Sequence, residues 1–187
     1  HWAVRLTDLS ELLLRHQPHI VHFSGHGSTQ GEIVLEDAKG RPVTAPAAVL
    51  SDLFRILKDN VRCVILNACW SQTQAEGIAA EIDCVIGMAR EIDDDDALSF
   101  AGGFYRALGY GRSVAEAFDL GRNELALSDL SAAATPHLIT RRVDASAMRF
   151  IESAIPLPMT AETVDALLTS VFISYSRADK PFVDRLT

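Results

Sequence analysis

Apolar positions follow two alternating rhythms along this chain. From Thr7 to His16, Leu9, Leu12 and Leu13 fall on one side of a helix that Thr7 would cap and Pro18 would stop. His19 to Ser24 is instead a β-type run. Val61 to Asn67 and Cys84 to Met88 are nearly unbroken apolar runs, which fit strands buried on both faces. Glu32 to Glu36 and Arg41 to Thr44 flank Ala38-Lys39-Gly40 and predict a small hairpin. Helical spacing returns after Pro46, with Val49, Leu50, Leu53, Phe54 and Leu57. It recurs over Ser71 to Ile82, with Ala75, Ile78, Ala79 and Ile82 inward. Asp94 to Leu108 and Ser113 to Leu127 are two further helical stretches, punctuated by Gly109 and Gly111. Pro136 to Thr140 predicts a short strand. Strands alternating with helices predict an α/β sandwich around a mostly parallel sheet.

The rhythm fails from Ala145 to Ser170, where Pro156 and Pro158 interrupt mixed polarity. Residues 145–169 read as a linker with one helix at Ala161 to Leu168. Val171 to Ser174 starts a new strand. The expected organisation is a domain over 1–144, the linker, and the start of another domain over 170–187. The first residue is His1 and the last, Thr187, falls in a predicted helix, so the chain is expected to be cut from something longer. Its 187 residues are 48% apolar and 22% charged, which predicts a folded domain whose core needs no staples. The net charge is −8 and no Lys/Arg cluster offers a track for phosphates, so no nucleic-acid partner is expected. No apolar run spans a bilayer and no secretory pattern opens the chain, so no membrane partner is expected. Cys63, Cys69 and Cys84 form no CxxC, which argues against a disulfide framework or a zinc ribbon. A reducing cytoplasm is the expected compartment.

Two strand ends carry the candidate chemistry. One bears His26 within Ser24-Gly25-His26-Gly27, the other Cys69 within Leu66-Asn67-Ala68-Cys69. In open α/β sheets the carboxyl ends of adjacent strands form the ligand crevice, so this pair can meet in space. An imidazole can deprotonate a thiol, and the thiolate attacks a peptide carbonyl. The Gly27 and Cys69 N–H groups are candidate donors to the developing oxyanion. The competing reading is a small core cysteine beside a hydrogen-bonded structural histidine. His22 is the rival base. On a strand it lies about 13 Å from His26 at roughly 3.3 Å per residue, so the two are not expected to share a metal. His22 then reads as a core or supporting histidine, Cys63 and Cys84 as inert core thiols. Asn67 reads as a group that satisfies backbone. The run Glu91-Ile92-Asp93-Asp94-Asp95-Asp96 is either solvated or favours a helix N-terminus.

Ile20-Val21-His22-Phe23-Ser24-Gly25-His26-Gly27, followed by Val64-Ile65-Leu66-Asn67-Ala68-Cys69, resembles the CHAT domain family, which is related to caspases, metacaspases and separase. Gly31 to Asp37, Cys84 to Met88, Phe104 to Leu108 and Ser113 to Phe118 agree with it, so the resemblance covers roughly residues 1–144. It implies a caspase-like three-layer sandwich whose opening strand is missing here. It also implies a cysteine endopeptidase without metal or cofactor, acting on a protein or peptide, with His26 as general base and Cys69 as nucleophile. Metacaspase-like and separase-like peptidases use acidic S1 pockets, which makes Asp93, Asp94 and Asp95 candidates to hold a basic P1 side chain. Arg90 keeps cleavage after aspartate open. Trp70 stands where caspases carry arginine and metacaspases histidine. The tail from Val171 to Lys180, with Val183-Asp184-Arg185-Leu186, resembles the opening strand and helix of a TIR domain. That resemblance implies TIR-mediated protein partners and a role in bacterial signalling or defence. Two other readings stay open: a catalytically silent scaffold, and NAD cleavage by a complete TIR domain in a longer protein.

Overall fold

The periodicities become alternating elements in the computed structural model, which describes residues 4–28, 30–141, 143–151 and 171–174. In order they are α1 (Leu6–His16), β1 (Ile20–Ser24), β2 (Val34–Glu36), β3 (Pro42–Thr44), α2 (Ala47–Leu57), β4 (Cys63–Asn67) and α3 (Gln72–Ile78). Then follow β5 (Cys84–Met88), α4 (Asp94–Gly109), α5 (Val114–Ser128), a 3₁₀ turn (Ala132–Ala134), β6 (Pro136–Thr140) and β7 (Val171–Ser174). One sheet has the order β6-β5-β4-β1-β7, and each neighbouring pair is parallel except β5 with β6. β2 and β3 form the separate antiparallel hairpin.

Every residue of β1, β4 and β5 is buried, which is why these strands are almost continuously apolar. Each face of the sheet packs its own core. Val21, Phe23, Val64, Leu66 and Val85 meet Leu9 and Leu13 of α1, Leu50 and Phe54 of α2, and Ala75 and Ile78 of α3. Ile20, Cys63, Ile65, Cys84, Ile86 and Met88 meet Phe100, Phe104 and Leu108 of α4 and Val114, Phe118 and Leu125 of α5. The result is the caspase-like three-layer sandwich. Phe100 packs 6.0 Å from Phe104 and edge-on, also 6.0 Å, against Phe118.

Local chemistry sets the element ends. Asp93 caps α4 by accepting from the Asp96 N–H, and Ser113 with Glu116 forms a capping box at α5. Thr7 is not the cap of α1: Arg5 holds that position, and the Thr7 hydroxyl donates to Asp8 within the first turn. α3 is shorter than the spacing predicts. Beyond Ile78 the chain tightens into turns, with Ala80 N–H donating to Gly77 and Glu81 N–H to Ile78, yet Ala79 and Ile82 still bury in the first core.

Past residue 144 the chain still packs on the domain. Ala145 and Met148 are buried in the second core, and their carbonyls accept from the Ala115 and Val114 N–H groups. The predicted helix at Ala161 to Leu168 and the TIR-like residues 175–187 lie outside the described residues. Of the TIR-like tail, Val171 to Ser174 form β7, which pairs in parallel with Ile20 to Phe23 along the edge of β1.

Candidate functional site

The parallel register places Ser24 beside Asn67, so β1 and β4 end side by side and release the His26 and Cys69 loops at one edge. The Gly25 N–H donates to the Asn67 carbonyl at 3.3 Å. Gly27 bridges to Ile33, and the His26 carbonyl accepts from Val34 N–H at 2.9 Å, which binds the histidine loop to the hairpin. The hairpin is pinned in turn from α3. The buried Gln74 side chain donates to the Ala45 carbonyl at 2.6 Å and accepts from Ile33 N–H at 3.0 Å.

The cysteine turn is held from beneath. The buried Ser71 hydroxyl donates to the Leu66 carbonyl at 2.7 Å and accepts from Met88 N–H at 3.0 Å, tying the end of β4 to β5. Trp70 has φ 60°, in the left-handed region, and its N–H donates to the Arg90 carbonyl at 3.3 Å. The two loops touch through their main chains. A Cβ on Gly27 would lie 1.9 Å from the Cys69 carbonyl oxygen, so only glycine permits this approach. The His26 side chain is exposed and Cys69 is half-buried. The Cys69 thiol reaches the Ile92 carbonyl at 3.6 Å. The residues predicted as oxyanion donors, Gly27 and Cys69, therefore lie backbone against backbone.

An open cleft of about 570 Å³ adjoins Cys69 and is lined by Trp70, Ile92, Asp93, Asp96, Asp129 and Arg90 among others. Asp93 Oδ1 accepts from Asp96 N–H at 2.8 Å. Partial burial, and then the charges of Asp93, Asp129 and Asp95, raise the Asp96 carboxyl above its ordinary value. Asp129 is lowered, chiefly by hydrogen bonds from Ser131 and also by the Arg90 charge. The Arg90 guanidinium donates to the Ser131 carbonyl at 2.7 Å and to Thr135 Oγ1 at 3.4 Å. Of the predicted S1 residues, Asp93 borders this cleft. Asp94 and Asp95 are exposed on the first turn of α4 and do not line it. Asp96 and Asp129 do, and sequence reasoning missed both. Asp96 closes the same acidic run and was within reach of that signal. Asp129 follows α5, and no local pattern ties it to the cleft.

The other histidine and thiols fall in the core. His22 is fully buried, its Nδ1 lies 2.8 Å from the Tyr105 hydroxyl, and the rings stack at 5.6 Å. Burial pushes its pKa down to about 3, so it is a neutral imidazole at physiological pH. Burial also pushes Cys84 up to about 12 and Cys63 well up, which keeps both as thiols. The Asn67 side chain donates to the Ala97 carbonyl of α4 at 3.1 Å. Its Oδ1 and His22 Nε2 are buried with no hydrogen-bond partner among the described residues. Among the described residues no group of three or more His, Cys, Asp or Glu is placed to hold a metal ion. None of their helices is long and apolar enough to cross a membrane.

Comparison with known proteins bears on this arrangement. The family profile of the CHAT domain matches residues 3–138, a span that takes in α1 to α5 and ends within β6. Residues 170–187 lie beyond that match, and the TIR resemblance read from them finds no support in the comparison. No curated protein matches the chain. With the His26 and Cys69 loops inside the matched span, the chain belongs to the CHAT domain family, a caspase-like domain of the cysteine-peptidase type.

Proposed function

We propose that this chain is a cysteine endopeptidase that uses His26 and Cys69 and cleaves after a basic residue. The observation that carries the reading is the main-chain contact of Gly27 with Cys69, which holds the histidine loop against the cysteine turn at adjacent strand ends. In the proposed reaction His26 takes the Cys69 thiol proton. The thiolate then attacks the scissile carbonyl carbon, and the oxygen that becomes negative is met by the Gly27 and Cys69 N–H groups. The C–N bond breaks as His26 returns its proton to the leaving amine. Water, deprotonated by His26, then hydrolyses the thioester and frees Cys69.

The cleft supports the preference for a basic P1 residue. Asp93, Asp96 and Asp129 gather carboxylates beside the nucleophile, and a cationic side chain would offset the burial and, after it, the like charges that raise Asp96. Arg90 is the cation on which a caspase-like preference for aspartate would depend. Its guanidinium already serves the Ser131 carbonyl and Thr135 hydroxyl. The TIR-like tail would place such a peptidase in a bacterial signalling or defence protein of the cytoplasm. A panel of fluorogenic peptides with P1 arginine, lysine, leucine or aspartate tests the reading. Turnover of the basic substrates that disappears in Cys69→Ala is expected. Preference for P1 aspartate would overturn the specificity, and absence of turnover across a broad panel would overturn the activity.

A further inference from the structure

Trp70 combines three features that a purely structural residue would not need together. Among the described residues only Gln17 and Trp70 are non-glycine residues with positive φ, and Gln17 is the C-cap of α1, where that conformation is usual. Trp70 instead follows the nucleophile directly, in the bend between β4 and α3. The left-handed conformation disfavours a bulky side chain, and glycine or asparagine would adopt it more cheaply. The fold nevertheless enforces it. The Trp70 N–H is held by the Arg90 carbonyl, and Ser71 is fastened to Leu66 and Met88. The Trp70 carbonyl sits against Gly31, where a Cβ would lie 2.6 Å from it. The large side chain that bears this strain is 44% exposed and lines the cleft beside Cys69.

Strain that persists at an exposed aromatic residue beside a nucleophile points to use of the ring by a ligand. Its companions in the cleft identify the ligand chemistry. Asp93, Asp96 and Asp129 offer carboxylates, Trp70 offers a π face, and Ile92 offers apolar contact. A planar guanidinium on an aliphatic stem satisfies all three, because it stacks on indole and also donates to paired carboxylates. A lysine ammonium is a compact, strongly hydrated charge that gains less from the ring face.

We infer that Trp70 is the aromatic wall of the S1 subsite and selects arginine over lysine. This rests on the basic-P1 reading above. The test uses the full chain with Cys69→Ala, which binds without turnover, and Trp2→Phe, which leaves Trp70 as the single tryptophan of the two in the sequence. Acetylated peptides that differ only in P1 arginine, lysine, leucine, aspartate or uncharged citrulline are titrated against Trp70 fluorescence. Binding to Trp70→Gly and Trp70→Phe is read from the anisotropy of dye-labelled peptides. Saturable quenching by the arginine peptide is expected, with citrulline weaker by at least about tenfold. Trp70→Gly should lose at least about tenfold for arginine, less for lysine, and Trp70→Phe should retain most of the affinity. Glycine accepts the backbone at this position, so the melting temperature of Trp70→Gly should equal or exceed that of its parent. Unchanged arginine affinity in Trp70→Gly, or a fall of several degrees in its melting temperature, would overturn the role of Trp70 alone. Tighter binding of the aspartate or leucine peptide would overturn the basic-P1 reading beneath it, and no binding of any peptide would overturn both.

Discussion

Gly27→Ala is the sharpest perturbation of the proposed dyad. The added methyl would sit 1.9 Å from the Cys69 carbonyl oxygen, 2.9 Å from its carbon and 3.1 Å from its nitrogen. Ordinary contact begins near 3.4 Å, so the His26 loop and the Cys69 turn must separate by about 1.5 Å. All three obstructing atoms are main chain, and Ser71 fastens their turn to two strands. Gly27 is not among the glycines with positive φ, so the effect is steric and not conformational. Overpacking of this kind costs about 1–3 kcal/mol of stability. Displacing a base by more than 1 Å from its nucleophile costs about 100-fold in rate, equivalent to about 2.7 kcal/mol of transition-state stabilisation. The assay is kcat/KM for a fluorogenic P1-arginine peptide, alongside urea unfolding. Gly102→Ala is the control, because a Cβ there meets nothing within 4 Å, and a helix interior favours alanine by roughly 0.5–1 kcal/mol. A Gly27→Ala enzyme within threefold of wild type would refute the claim that this contact sets the dyad geometry.

Three other substitutions probe the surrounding structure. Asp96→Asn should lower kcat/KM for a P1-arginine peptide by about tenfold or more while leaving P1 leucine unchanged, and it should not lower the melting temperature, since it removes a charge that burial and then neighbouring carboxylates disfavour. Asn67→Ala should cost about 0.5–1.5 kcal/mol in urea unfolding, because it removes the side-chain hydrogen bond that ties the end of β4 to the Ala97 carbonyl, and hydrogen exchange in the first turn of α4 should quicken. His22, held near pKa 3 by burial, binds a proton in the unfolded chain below about pH 6.5 but not in the folded one. Stability should therefore fall as pH drops from 6.5 towards 3, by about 2 kcal/mol from this group at pH 5, and the difference between wild type and His22→Gln across that range measures it.

The layers of the fold were legible because each strand inside the sandwich is buried on both faces and so reads as an unbroken apolar run. Cys84 to Met88 and Pro136 to Thr140 match their observed strands residue for residue. Helix ends were less legible where tertiary contacts outweigh local spacing. Ile82 keeps the inward position predicted for it although the helix stops at Ile78, because the following turns deliver it to the same core. Likewise Ala145 and Met148 carry too little periodicity to reveal that they complete the second core. At the site, His26 was visible as a histidine between two glycines just past one strand, and Cys69 as a thiol just past another. The strand register that makes them neighbours depends on pairing between distant segments. Asp129 was invisible for the same reason, since only the folded chain carries the end of α5 to the mouth of the Cys69 cleft. The strain at Trp70 is a dihedral angle, and no residue pattern announces it.

Site-specific thiol labelling asks directly whether His26 activates Cys69. An electrophilic peptide with P1 arginine is compared with one bearing P1 aspartate on wild type, Cys69→Ala and His26→Ala, and the modified cysteine is located by peptide mass spectrometry. Rapid labelling at Cys69 alone by the arginine probe is expected, abolished by Cys69→Ala and slowed by about 100-fold or more in His26→Ala. Labelling of Cys69 that is indifferent to His26, or no faster than that of buried Cys63 and Cys84, would contradict a working dyad.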